Sequence, residues 1–81
     1  MTFDDLRTRL VNNLRLRVRS GEVTERSLAR LTGISQPHLH HVLKGKRRLS
    51  LETADLILRR LDIDVGDLLS PEELRERRPH R

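Results

Sequence analysis

Eighty-one residues make one domain, and a single core of that size supplies only about 3–5 kcal/mol, so the fold must be simple or helped by a partner chain. The absence of cysteine removes disulfides, thiolate zinc sites and thiol catalysis, and one Phe without Trp or Tyr removes an aromatic platform for single-stranded bases. Charged residues form 36% of the chain, with 17 Lys and Arg against 12 Asp and Glu, a net charge of +5 that points to a polyanionic partner.

Every strong hydrophobic period is helical. Phe3, Leu6, Leu10, Leu14 and Val18 recur at three and four residues, which predicts a helix over 3–19, opened by Thr2 with Asp5 and stopped at Ser20-Gly21. Thr24 caps a short helix over 25–32, with Val23 and Leu28 as its hydrophobic staple and Gly33 as its stop. The same grammar repeats at once. Ser35 caps a helix over 36–44, Ile34 and Leu39 are its staple, and Pro37 lies in the first turn, where its missing N–H costs nothing. Gly45 ends it, and 46–49 form a basic loop. Ser50 caps a helix over 51–61 whose apolar face is Leu51, Ala54, Ile57, Leu58 and Leu61. Asp64 caps a short helix over 65–69. Ser70, Pro71 and Glu73 open a last one reaching about residue 78, before a frayed tail. No strand pattern, linker or internal repeat interrupts this order. The fold class is all-α.

The charge is segregated. Between residues 6 and 51 there are 11 Arg and Lys and two acids, a net of +9. Residues 52–81 hold six bases and eight acids, a net of −2. A one-sided field of this kind can steer and hold a phosphate backbone.

Two short helices around a tight glycine turn are a helix-turn-helix. Ala29 is the small residue that lets the helices cross closely, Gly33 frees the turn, and Leu28, Ile34, Leu39 and Val42 supply the hidden side. The outer side of helix 36–44 carries Gln36, His38, His40, His41 and Lys44, and no acid. On these residues the run SLARLTGISQPHLHHVLKGKRRLSLETADLILRRLDIDVGDLL resembles the lambda-repressor-like, or XRE-type, DNA-binding family. The resemblance rests on Leu28-Ala29, on TGIS at 32–35, KGKR at 44–47 and SLET at 50–53, then on Leu61, Val65, Leu68 and Leu69, and it covers about 15–69. It departs at three positions. Thr32 stands where the family usually has a larger apolar residue, Asp62 where Gly or Asn usually ends helix four, and Pro37 where a polar base reader is common.

The resemblance implies five helices, the second and third reading DNA, in a family of mostly bacterial and phage transcription regulators. With the short C-terminal helix added, the expected organisation is a DNA-binding domain over 1–70, its helix-turn-helix at about 24–44, and a helix and tail over 71–81. The first turn of helix 36–44 then faces base edges. Gln36 can pair bidentately with adenine, and His41 lies one turn beyond Pro37 on the same face; these two lead as readers, with Pro37, His38 and Ser35 beside them. Arg26, Lys44, Lys46, Arg47, Arg48 and Arg15 are the phosphate-holding candidates, the loop cations having no acid near in sequence to pair with. Arg15 and Arg17 have the alternative of pairing with Glu22 or Glu25. A regulator of this kind binds a palindromic operator as a homodimer, and Leu69, Leu74, Leu56 and Leu68 are the candidate partner contacts, with Arg75, Arg77 and Arg78 able to pair across the axis.

Other readings follow from the same residues. His38 and His41 share a helix face, but no acid or cysteine lies near enough in sequence to complete a metal shell, so neither metal nor cofactor is implied. Short helices leave little room for a catalytic pocket, so the chain is not read as an enzyme. An antitoxin with a toxin partner, a restriction–modification controller, and a protein-interaction module are the alternatives. The acidic start MTFDDLRTRL is unlike a signal peptide, and no apolar run reaches membrane-spanning length, so a cytoplasmic protein is expected.

Overall fold

The computed structural model describes residues 2–76, apart from the side chains of Leu74 and Glu76. Four helices, α1 (Phe3–Arg19), α2 (Glu25–Thr32), α3 (Gln36–Leu43) and α4 (Leu51–Arg60), precede a 3₁₀ turn at Val65–Leu68 and α5 (Pro71–Glu76). The described residues contain no strand. The helix expected at 65–69 is the 3₁₀ turn. Asp64 and Asp67 close a capping box around it, but with Gly66 inside and four residues in all it does not propagate as an α-helix.

Local hydrogen bonds fix each helix start. Thr2 Oγ1 accepts the Asp5 amide at 3.1 Å while the Asp5 carboxylate accepts the Thr2 amide at 2.9 Å. Thr24 and Ser27 form the same reciprocal pair at 3.0 Å in both directions. Ser35 accepts from His38 at 3.3 Å and Ser50 from Thr53 at 3.1 Å. Each cap satisfies an amide that the helix leaves free and contributes about 1 kcal/mol.

The core forms where the apolar stripes meet. Leu10 and Leu14 of α1, Leu28 and Ala29 of α2, Leu39, Val42 and Leu43 of α3, and Ala54 and Ile57 of α4 are buried together with Leu49 and Ile63 from the connections. Helix α3 packs on both α1 and α2, α4 packs on α2, and the 3₁₀ turn packs on α1. Two members of the expected stripes fall outside. Leu51 is 62% exposed and Phe3 43% exposed, because each is the first residue of its helix and projects past the edge of the core. The Phe3 ring instead carries the Arg7 guanidinium, 5.0 Å from its centroid. Asp62 ends α4 at φ 53°, a left-handed conformation that Asp tolerates better than most residues. It thus fills the place where the resemblance leads one to expect Gly or Asn.

The leucines considered for a partner contact are used differently. Leu69 is only 8% exposed, so most of its side chain is already buried within the single chain. Leu68 is partly buried against the core, and Leu56 is half-buried. The Leu74 side chain, Arg77 and Arg78 lie outside the described residues.

Helix α5 is tied back to α1 by a bidentate pair. Arg9 Nη2 donates to Glu73 Oε2 at 2.7 Å, Arg9 Nη1 bonds Glu73 Oε1, and Arg9 Nη1 also reaches the Leu68 carbonyl at 3.3 Å. The Arg9 guanidinium first, and the Ser70 amide second, hold the Glu73 carboxyl down to about 2, well below its ordinary 4.5. A depressed carboxyl contributes stability that is complete above the unfolded-state value and is lost as pH falls through the folded one. Docking of α5 should therefore weaken as pH drops from about 4.5 towards about 2, read from the amide resonances of 71–76. In Glu73→Gln those resonances should lose this pH response. Detachment complete already at pH 4.5 would contradict the pairing.

Candidate nucleic-acid interface

The turn between α2 and α3 is built by Thr32 and Gly33. Gly33 closes α2 at φ 77°, where a side chain would be strained. Thr32 is buried, yet its hydroxyl is satisfied: Oγ1 donates to the Leu28 carbonyl at 2.8 Å and accepts the Ile34 amide at 3.4 Å. A hydroxyl therefore fits a position usually given to an apolar residue.

Burial of Leu39, Val42 and Leu43 sets the rotation of α3 and turns the opposite side to solvent. Pro37 and His41 follow each other one turn apart on that side, and Lys44 caps the helix C-terminus beyond them. All three are exposed, as are Ser35 and Gln36 at the helix start, and His38 is half-buried beside them. No acid lies in the first turn. His40 points elsewhere: its Nδ1 lies 3.0 Å from Glu25 Oε1, which joins α3 to the start of α2. Arg26, next to Glu25 in the first turn of α2, is exposed.

The end of α3 reverses sharply. Gly45 sits at φ 80°, its amide donates to the Val42 carbonyl at 3.1 Å, and the Lys46 amide donates to the His41 carbonyl at 2.9 Å. These two bonds satisfy orphan carbonyls of α3 in a Schellman arrangement. Lys46, Arg47 and Arg48 therefore emerge, exposed, directly beyond Lys44. The arrangement presents hydrogen-bonding side chains on a helix ridge with a run of cations beyond its C-terminal end, a chemistry suited to base-edge contact beside phosphate contact.

Two cations differ from the expectations, Arg48 and Arg15, and Arg17 takes the alternative already given for it. The acid-free setting of the loop does not hold in space: Arg48 Nη2 donates to Asp4 Oδ1 at 3.1 Å, across 44 residues of sequence. Arg15 is half-buried, and its Nε donates to the Leu43 carbonyl at the end of α3. Arg17 lies 3.3 Å from Glu22 and bonds Asn13 at 2.8 Å, the alternative that its spacing allowed. Arg7, which no sequence signal singled out, donates through Nη1 to the Leu49 carbonyl at 2.7 Å. Between α1 and the loop lies a groove of about 260 Å³ whose walls include Arg7, Arg15, Arg47 and Arg48.

Among the described residues no group of three His, Asp or Glu side chains is gathered so as to hold a metal ion. No helix of the described residues is long and apolar enough to cross a membrane.

A family model of the Cro/C1-type HTH DNA-binding domain matches residues 13–73. The chain belongs to the Cro/C1-type HTH family. No curated protein and no solved structure matches it significantly. As a Cro/C1-type domain, the protein is a helix-turn-helix DNA-binding regulator. The match begins inside α1 and ends inside α5, so it takes in α2, α3 and α4 whole.

Gly45 gives this arrangement a direct check. A side chain at its left-handed conformation should cost about 1–2 kcal/mol. Urea unfolding of Gly45→Ala should show that loss, whereas unchanged stability would mean that the turn after α3 is not the one described.

Proposed function

We propose that this protein is a repressor-type transcription regulator that lays α3 in the major groove of a specific operator. The observation that carries the reading is the exposed, acid-free ridge of α3, with Gln36 at its start and Pro37, His41 and Lys44 along it. Gln36 and His41 are the principal base readers, with Ser35, Pro37 and His38 at the margin of the contact. Arg26, Lys44, Lys46, Arg47 and Arg48 hold the phosphates on either side. Repression by occupancy asks nothing of the chain beyond this contact.

The bound form is a homodimer on a palindromic site. An eight-residue helix is about 12 Å long and spans roughly a third of a groove turn, too little sequence for an operator by itself. Two copies related by a two-fold axis read half-sites about 34 Å apart. Leu56 and Leu68, both part-exposed, are better placed to meet a second copy than the buried Leu69.

Readers and clamps separate by mutation. Gln36→Ala or His41→Ala should cost about 1–3 kcal/mol on the best site and relax preference at one or two base pairs. Arg47→Ala should weaken all duplexes nearly equally and reduce the salt slope by about 1 from a starting value of about −4 to −5 per subunit. The checks are sites selected from a random duplex library and affinities measured across a salt series. A change of base preference in Arg47→Ala with none in Gln36→Ala, or a flat salt response, would overturn the proposal.

A further inference from the structure

We infer that Arg7 and Arg15 are positioning residues: they staple the two ends of the basic loop to α1, so that Lys46, Arg47 and Arg48 are held ready for phosphates. The loop has few other anchors. Its first half hangs on the His41 and Val42 carbonyls, its last residue before α4 is the buried Leu49, and Lys46, Arg47 and Arg48 between them are exposed.

The two arginines grip the ends of that segment. Arg15 Nε donates to the carbonyl of Leu43, the last residue of α3, and its Nη2 packs 3.5 Å from where a Gly45 side chain would begin. Arg7 Nη1 donates to the carbonyl of Leu49, the last residue before the Ser50 cap, at 2.7 Å. Both donors come from α1, two turns apart on one face, and both acceptors are backbone carbonyls flanking the cations. The Arg7 side chain is only 18% exposed, its second terminal nitrogen, Nη2, is bonded to Asp4 Oδ1 at 2.6 Å, and its Nε is buried with no partner among the described residues. Asp4 Oδ1 in turn receives Arg48 Nη2 at 3.1 Å, so the chain of contacts from α1 ends on a loop cation. Both guanidinium groups are thus tied to the backbone beside the loop, Arg7 through Nη1 and Arg15 through Nε. The work of Arg15 in this arrangement is to fix where the clamps stand. A lysine has one point-like head and lacks the planar fork, so it keeps the charge without reproducing the staple.

This inference rests on the proposed DNA contact, and the test separates the two. Affinity for a random-sequence duplex is measured across a salt series for the wild type and for the double variant Arg7→Lys with Arg15→Lys. No charge is removed, yet affinity should fall about tenfold and the salt slope should shrink by about 2 per subunit, as the loop cations lose their places. In a protein already carrying Lys46→Ala, Arg47→Ala and Arg48→Ala, the same two lysine substitutions should add almost nothing. Equal losses in both backgrounds, or an unchanged slope in the first, would overturn the inference while leaving the DNA contact standing. A wild type that fails to bind would overturn both.

A second measurement needs no substitution. In the wild-type protein the Arg15 Nε–H resonance should be slow to exchange and should keep its position when duplex is added, while that of Arg47 moves. An Arg15 resonance that exchanges freely, or that moves as far as that of Arg47, would equally overturn the staple.

Discussion

The presentation of α3 depends on one packed edge. An eight-residue helix is not stable by itself in water, so α3 exists because Leu39, Val42 and Leu43 are buried against α1 and α2. Full burial of such side chains is worth about 1.5–3 kcal/mol each, a large share of the net stability of a domain this small. The same burial fixes the rotation of the helix about its axis. With those three residues inside, Pro37 and His41 have no direction left but outward, and His40 is brought to Glu25. Order in the core and orientation of the proposed reading surface are one event.

Charge is distributed to match. Acids of the described residues are largely consumed where they complete helix starts or hold basic side chains: Asp5 at the Thr2 cap, Glu22 on Arg17, Glu25 on His40 and Glu73 on Arg9. What is left exposed around α3 is positive. Exposed pairs of this kind add little stability. Their consequence lies in the field, because each acid held on the α1 side or beside α5 is one fewer on the surface proposed to meet phosphate. Asp4 and Glu25 are the exceptions, since Asp4 reaches Arg48 on the loop itself and Glu25 reaches His40 on α3.

Most of the fold was legible because its signals are local. Thr24, Ser35 and Ser50 mark helix starts through bonds three residues long, and Gly33 and Gly45 mark stops through their positive φ, so the boundaries of α2, α3 and α4 lie within one residue of those read from the sequence. The apolar period also placed Leu10, Leu14, Leu28, Leu39, Val42 and Ile57 in the core correctly. A period cannot say where a neighbouring helix stops, and Phe3 and Leu51 lie past that edge. Nor can it apportion a terminal leucine such as Leu69 between the chain's own core and a partner. At the interface, the exposure of Gln36, Pro37 and His41 follows from helical spacing. The roles of Arg7, Arg15 and Asp4 do not, because their partners at Leu49, Leu43 and Arg48 lie 42, 28 and 44 residues away.

The reading surface itself is tested most directly by titrating the isotope-labelled protein with a duplex recovered from a random library and following every backbone amide. The perturbed amides should cluster at 24–27, at 35–41 and at 44–48, and those of 54–69 should keep their positions except where a second copy is met. A response centred on α4 and the 3₁₀ turn, with α3 unmoved at saturation, would contradict the assignment of α3 as the helix that enters the groove.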